Sequence, residues 1–335
     1  MKAGNISQTI WKRSIRKQLN HVRDEALFTP SMEETCSALR IPEGSMAVSA
    51  NAQVFGDTEE VGIYAVAKAI NEIASRGAEP IGVSIQAALP LAVSEEQLKA
   101  MAACMESICE TADVQLTCFK AESSPAVNQV WITATAMGSV KEEDIKRTSD
   151  ASPGEDIVLC GYVGLEGTLC ILSERKDALS QRFVPAFIRQ TENLKNQLLG
   201  LEAIRAARRA GVSAIHQIGS GGIFAALWEL AEASGIGMET ALSKMSIRQE
   251  TVEICEYYNL NPYQMTSTGS FLMTSKDGDA LVKELNGVGA RAIKLGVATD
   301  GKARVITSGE EQRYLDRPAP DELMLWWERA LIRTK

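Results

Sequence analysis

A glycine-rich turn that leads directly into an amphipathic helix is the strongest candidate for ligand chemistry in this sequence. Gly219, Gly221 and Gly222 lie in the segment HQIGSGGIFAALWELAEASGIG. Free backbone N–H groups at the start of a helix, together with the helix dipole, attract anions such as phosphate. Glycine also serves in tight turns simply to avoid steric contact, so the turn alone leaves a structural role open.

A second candidate is the Asn71–Glu72 pair, which falls on a predicted helix just before Gly77 and Pro80. An amide and a carboxylate on one helix face could hold a metal–phosphate group, although a solvated helix face would use the same residues. The sequence contains no Walker A, HExxH or GxSxG pattern, and no GxGxxG follows a first strand. Any nucleotide site must therefore be of another kind.

Composition restricts the classes of partner. The chain has 335 residues, a net charge of −8 and a pI of about 5.1, which argues against a nucleic-acid partner. No apolar run approaches the roughly 18 residues of a membrane span, so we expect a cytoplasmic protein that does not bind membranes. Seven cysteines without a CxxC pair and only two histidines give little support for a metal site.

The elements that would position these residues alternate between strands and helices. The length favours two domains, and the charged stretch KEEDIKRTSDASPGED marks the boundary between domains 1–148 and 149–335. The first domain is predicted as strand 46–50, a helix capped by Thr58, strand 82–89, a helix opened by a Ser94–Gln97 capping box, and strand 130–139. A basic helix with an apolar stripe is predicted around Lys12–Lys17. We expect it to dock on the protein by its apolar face, although an arm that binds a membrane or a nucleic acid would show the same pattern.

The second domain is predicted to open with the strand DIVLCGYV and to end in a helix capped by Asp321. Between them we predict helices from about Thr168 and at 199–210, 222–235, 248–258 and 278–286, with strands at 270–275, 291–298 and 303–307.

Several ordered segments resemble the superfamily of aminoimidazole ribonucleotide (AIR) synthetase, selenophosphate synthetase, thiamine-monophosphate kinase and the hydrogenase-maturation carbamoyl dehydratase. NEIASRGAEPIG resembles its N-D-[ILV]-A-x-x-G-A-x-P segment, HQIGSGGIFAALWELAEAS its D-x-T-x-G-G-L segment, and GEDIVLCGYVGLEG its G-D-x-I strand and turn. The matches cover most of residues 30–310, and the hydrogenase-maturation branch is the most similar. The resemblance implies two α+β domains and a homodimer in which N-terminal strands pair across a twofold axis.

The resemblance also implies ATP between the domains, with Mg²⁺ held by aspartates, and this chain departs from that pattern. Asn51 and Gln217 stand at aspartate positions, Thr35 at a third, and Lys120 at another polar position of the family's site. Mg²⁺ prefers carboxylate and phosphate oxygens as ligands. Among the implied positions, Glu72 is the only acidic residue retained. The nucleotide-site positions implied by the resemblance are Thr35, Asn51, Asn71, Glu72, Lys120, Gln217, Gly219, Gly221 and Gly222.

Two functions remain open at this point. In the first, Mg-ATP binding is lost or weakened, no metal is held, and a divergent paralogue acts through a protein partner. In the second, the chain still binds a phosphorylated ligand. Either Lys120 takes over part of the metal's task by pairing directly with the phosphate oxygens of another nucleotide or phosphorylated ligand at the Gly219–Gly222 turn, or an ATP-dependent enzyme phosphorylates an amide or carbonyl oxygen or a small molecule. The family's hydrogenase-maturation branch carries its carbamoyl group on a terminal cysteine. The sequence ends WWERALIRTK, so we expect that chemistry to be absent.

Overall fold

The computed structural model describes residues 2–33 and 36–332 of the chain, with side chains described as far as residue 330. The chain divides into two compact units, with the division after Ile145. Each unit contains one β-sheet with helices packed on it. No helix in the described part of the chain is long and apolar enough to cross a membrane.

The first unit consists of a five-stranded sheet and three helical segments. Its strands are β1 (Gly4–Asn5), β2 (Ser45–Gly56), β3 (Glu79–Leu89), β4 (Gln115–Ser123) and β5 (Val130–Lys141). Its helices are α1 (Gln8–Ile10), which continues as a π-helical segment Trp11–Arg16, then α2 (Val61–Ser75) and α3 (Glu95–Thr111).

The sheet of the first unit runs in the order β1-β4-β3-β5-β2, with only β3 and β4 parallel. Alternate residues of β3 and β5, such as Ile85 and Ala134, are buried, whereas their neighbours Gln86 and Thr133 are more exposed. The sheet therefore has an apolar face under helices α2 and α3 and a polar face on the other side.

Sequence signals account for most of the helix ends in this unit. Ser94 and Gln97 form the predicted capping box at the start of α3, and Gly77 follows the end of α2 with a φ of +89°. The predicted cap of α2 at Thr58 is wrong. Helix α2 begins at Val61, and its N-cap residue, Glu60, makes no side-chain capping hydrogen bond. Thr58 lies in the preceding turn, where its carbonyl accepts the Val61 N–H at 3.3 Å.

The basic segment near the N-terminus docks through its apolar stripe, as predicted. Trp11, Ile15 and Leu19 are buried, and the Trp11 indole Nε1–H donates to the Phe119 carbonyl at 2.9 Å. The backbone there is π-helical over Trp11–Arg16. The hydrogen bond from Trp11 to Phe119 holds the segment beside β4. Strand β4 was not predicted from the sequence.

The second unit contains a seven-stranded sheet in the order β12-β11-β8-β10-β6-β9-β7. Its strands are β6 (Asp156–Cys160), β7 (Ala214–Gln217), β8 (Gly237–Ala241), β9 (Phe271–Ser275), β10 (Ala292–Thr299), β11 (Arg304–Ser308) and β12 (Glu311–Tyr314). Its α-helices are α4 (Leu165–Glu174), α5 (Lys176–Arg182), α6 (Pro185–Asn193), α7 (Leu201–Arg209), α8 (Gly222–Ser234), α9 (Gln249–Tyr258), α10 (Gly278–Gly287) and α11 (Glu322–Ile332).

The core of this unit lies between helix α8 and the sheet. Ile223, Leu227 and Leu230 of α8 are fully buried against strand residues such as Leu272 and Leu295. These apolar positions recur every three to four residues, which is the spacing of one helix face. Burial of this face fixes α8, and with it the glycine-rich turn at the helix start.

Candidate functional site

Two of the sequence-predicted residues lie on the polar face of the first sheet. Asn51 on β2 pairs with Thr135 on β5, and its Oδ1 accepts a hydrogen bond of 2.6 Å from the Thr135 hydroxyl. Lys120 on β4 is exposed and lies beside Gln86 of β3. The strand order puts β2 and β4 three strands apart, or about 14 Å at the usual strand spacing.

A small cavity surrounds Lys120. It measures about 90 Å³ and is lined by Asn5, Ile6, Trp11, Ser31, Met32, Cys118, Phe119, Lys120 and Ala121. Ser31 and Met32 lie shortly before Thr35, one of the nucleotide-site positions implied by the resemblance. The structure thus brings these two residues next to Lys120. Thr35 itself lies outside the described residues.

Asn71 and Glu72 lie on helix α2, and their surroundings differ. Asn71 is fully buried, so its amide is part of the packed interior. Glu72 is partly exposed and forms an ion pair of 2.8 Å with Arg76, one helical turn along α2. Pairs of this kind are common on helix surfaces. The only retained acidic candidate therefore has its charge balanced by a neighbouring guanidinium.

The predicted anion-binding turn in the second unit has the expected backbone shape. Gly221 and Gly222 adopt φ angles of +80° and +66°, a region that side chains with a Cβ rarely occupy. A Cβ at Gly222 would lie 2.5 Å from the Tyr263 carbonyl oxygen. Gly219, by contrast, has open space around its Cβ position. Gly221 and Gly222 are therefore required by the turn, whereas Gly219 is not.

An acidic side chain of the chain itself occupies this turn. The Gly221 N–H donates a hydrogen bond of 2.7 Å to Oδ2 of Asp321, while Oδ1 of the same carboxylate accepts from the Leu323 N–H at 2.8 Å. Asp321 is buried. The carboxylate thus binds the turn and caps helix α11 at once. The predicted cap at Asp321 is confirmed, but its contact with the turn was not predicted.

Gln217, the last predicted site residue, ends strand β7 just before the turn and is buried. The residue before it, His216, is held from both sides. Its Nδ1 lies 3.1 Å from the Thr148 hydroxyl, and its Nε2 lies 2.8 Å from Oε2 of Glu229. In the second unit the structure therefore gathers Gln217, Gly219, Gly221 and Gly222 at one end of β7.

Three of the buried cysteines are poor nucleophiles. Burial raises the pKa of the Cys160 and Cys255 thiols to about 12, and it also raises the pKa of Cys109, with a further contribution from Glu106. Thiolate is the reactive form, so these groups stay inert near neutral pH. Cys255 lies on helix α9 and is buried.

Among the described residues at the positions implied by the resemblance, only Glu72 carries a carboxylate. Asn51 is an amide bonded to Thr135, Lys120 is a cation, and Glu72 is paired with Arg76. Within residues 2–33 and 36–332, no group of three or more His, Cys, Asp or Glu side chains could hold a metal ion. Mg²⁺ is usually held by carboxylates together with phosphate oxygens.

Two protein-family models match the chain in order. Residues 33–140 match the N-terminal domain of AIR synthase related proteins, and residues 152–308 match the C-terminal domain of the same proteins. Together the two matches cover most of the chain, and they fall on the two sheets described above.

Proteins of similar sequence include a hydrogenase expression/formation protein and a carbamoyl dehydratase. A putative hydrogenase expression/formation protein of Methanocaldococcus jannaschii is 25% identical, covering 81% of this chain and 80% of that protein. The carbamoyl dehydratase HypE of Rhodobacter capsulatus is 23% identical, covering 93% and 94%. All of this similarity is remote in sequence.

Solved structures share the fold. E. coli HypE superposes with a TM-score of 0.71 at 19% identity, covering 94% of this chain and 97% of that one. Thiamine-monophosphate kinase from Stenotrophomonas maltophilia gives a TM-score of 0.69 at 18% identity, covering 92% and 98%. A HypE–HypF complex matches with a TM-score of 0.64 at 17% identity, covering 82% and 90%.

Proposed function

The chain belongs to the AIR synthase related protein family, and we propose that it is a divergent, hydrogenase-maturation-factor-like member with a degraded Mg-ATP site. Its activity then depends on contact with a protein partner rather than on phosphoryl chemistry. The proposal rests on the residues that stand at the family's site positions.

The charge of Glu72 is the observation that carries the proposal. Glu72 is the only acidic residue retained at the implied metal positions, and its carboxylate is 2.8 Å from the Arg76 guanidinium. Asn51 and Lys120 add no negative charge, and Lys120 adds a positive one. A divalent cation would therefore meet too few carboxylates to be held together with a triphosphate.

The burial of Cys255 supports the same proposal. Carbamoyl transfer to a thiol requires a reactive thiolate. The Cys255 thiol, the last in the sequence, is buried and has a pKa raised to about 12. It therefore does not offer a carbamoyl acceptor near neutral pH.

Without Mg-ATP chemistry or a carbamoyl acceptor, the chain would act by binding a protein partner. A solved structure of similar fold is a HypE–HypF complex, and we propose that a HypF-like protein or another maturation factor binds this chain. We also propose a homodimer. Strand β2 is 12 residues long and stands last in its sheet, and an edge strand of that length readily pairs with another chain. Light scattering should then give twice the monomer mass of 36.3 kDa.

One observation favours the second candidate, an ATP-dependent enzyme. Lys120 lines a cavity next to Ser31 and Met32, and an ammonium group could take over part of the metal's work by pairing directly with phosphate oxygens. This alternative predicts nucleotide binding that needs Lys120 and does not need Mg²⁺.

Measurement of ADP release separates the two candidates. The purified chain is incubated with ATP, with and without Mg²⁺, alongside buffer that contains no protein. The proposal expects ADP release no faster than in buffer. Mg²⁺-dependent release above the buffer rate would contradict it, and Mg²⁺-independent release that Lys120→Gln abolishes would favour the enzyme.

A further inference from the structure

A second cavity lies in the C-terminal unit, beside the glycine-rich turn but with a different lining. It measures about 150 Å³, which is the space of about five liquid water molecules. Three parts of the chain enclose it: the start of α8, the segment around Pro262–Gln264, and the β11–β12 hairpin with the residues that follow. The lining residues include Phe224, Asn261, Tyr263, Gln264, Arg313 and Arg317.

The walls of this cavity are held in place by contacts within the chain. Phe224 and Tyr263 stack with ring centroids 5.3 Å apart and planes 9° from parallel. Asn261 accepts the Tyr263 N–H with its Oδ1 and donates from its Nδ2 to Oε1 of Gln264. Gly222 packs against the backbone of the same segment. A site that is already formed loses little entropy when a ligand enters.

The charges of the lining favour an anion. Arg313 lies over the Phe224 ring at 5.5 Å from its centroid, and Arg317 lines the same cavity. In the described part of the chain neither guanidinium has a carboxylate within ion-pair distance. Asp316 is the one carboxylate in the lining, so two cations face a single anion. In a chain of net charge −8, this is a locally positive cavity.

Guanidinium groups bind planar carboxylates and phosphates through paired hydrogen bonds. The Gln264 amide uses its oxygen to bind Asn261, which leaves its N–H groups for an incoming acceptor. Ile306 and the Phe224–Tyr263 pair provide apolar surface beside these donors. The lining therefore suits a ligand with an oxyanion at one end and a small flat or aliphatic group at the other.

We propose that this cavity binds a small organic oxyanion, a carboxylate or a phosphate monoester, through Arg313 and Arg317. The site is separate from the positions implied by the family resemblance and does not depend on the proposed function. It accounts for two arginines that line one partly open cavity and form no ion pair within the described part of the chain.

The test is calorimetric titration of the full chain with benzoate, phenyl phosphate and benzamide. Benzamide has the same flat ring as benzoate but no charge. The proposal expects benzoate or phenyl phosphate to bind, with benzamide at least about tenfold weaker. The tighter of the two anions identifies the preferred group, and either one supports the site.

Two variants and one control locate the binding. Arg313→Gln and Arg317→Gln should each weaken the anion at least about tenfold, whereas Arg189→Gln, an exposed arginine on α6, should change nothing. Arg313→Gln removes the contact between Arg313 and Phe224 and could disturb the local fold. Arg317 makes no ion pair in the described chain, so Arg317→Gln should keep the fold and still test the site. The proposal is overturned if no anion binds at about 10 mM, if benzamide binds as tightly as benzoate, or if Arg189→Gln weakens binding equally.

Discussion

Removal of the Asp321 carboxylate is the perturbation for which the structure gives the clearest magnitude. One oxygen accepts the buried Gly221 N–H at 2.7 Å, and the other accepts the Leu323 N–H at the start of α11. Asp321→Ala therefore leaves one buried donor without an acceptor and one helix without its cap. Asp321→Asn keeps one acceptor oxygen, so it should cause about half of the destabilisation that Asp321→Ala causes.

The cost follows from these two contacts. A buried N–H left without an acceptor costs about 1–3 kcal/mol, and loss of an N-cap costs about 1 kcal/mol. We therefore expect Asp321→Ala to lower the free energy of local opening at the glycine-rich turn by about 2–4 kcal/mol. At about 1.4 kcal/mol per tenfold change, the Gly221 and Leu323 amides should exchange about 30- to 700-fold faster.

Hydrogen exchange read by mass spectrometry measures this directly, because peptides that span the turn and the start of α11 report the two amides separately. Asp316→Ala removes an exposed carboxylate five residues earlier and is the matched control, with no change expected. Faster exchange at α11 alone, with the turn unchanged, would refute the contact between Asp321 and Gly221. If Asp316→Ala accelerated exchange as much as Asp321→Ala, the calculated cost could not be assigned to the two Asp321 hydrogen bonds.

Two further predictions test the turn and the buried thiols. Gly222→Ala should destabilise the chain by about 3 kcal/mol or more in urea unfolding, because its φ is +66° and a Cβ would meet the Tyr263 carbonyl, whereas Gly219→Ala should stay within about 0.5 kcal/mol; equal effects would contradict the assignment. Burial raises the pKa of Cys160 and Cys255 to about 12, and an unfolded thiol ionises near about 8.5. The stability from keeping these thiols neutral is therefore complete below about pH 8.5 and is lost as the pH rises towards 12. Urea midpoints should fall between about pH 8.5 and 10.5 and fall less in Cys255→Ser; midpoints independent of pH would contradict this.

Elements with local signals could be predicted from the sequence. The Ser94–Gln97 capping box occurs as predicted at the start of α3, and the left-handed Gly77 likewise marks the end of α2 locally. The apolar stripe of Trp11, Ile15 and Leu19 correctly predicted a docked helix, although not its π-helical backbone.

Strands that depend on distant pairing were missed. Strand β4 has five consecutive buried residues, Gln115–Phe119, so it lacks the alternation that marks a half-exposed strand. Its two partners, β1 and β3, lie far along the chain. Short segments such as β1 and β12 become strands only through such pairing.

In the candidate site, too, local features could be predicted from the sequence and contacts between distant residues could not. The glycine-rich turn could be predicted because Gly221 and Gly222 impose a local backbone shape. Its occupant could not, because Asp321 lies 100 residues later and its carboxylate reaches the turn only in the folded chain. The Asp321 cap was visible in the sequence, but no local pattern indicates which second donor a capping carboxylate will bind.

Titration calorimetry with Mg-ATP tests the central claim most directly. With Asn51 bonded to Thr135, Glu72 paired with Arg76 and Lys120 at a further site position, we predict no heat of binding at Mg-ATP concentrations up to about 1 mM. Saturable binding with a Kd in the micromolar range that is abolished by EDTA would contradict the account, because a held divalent cation requires carboxylates that these positions lack.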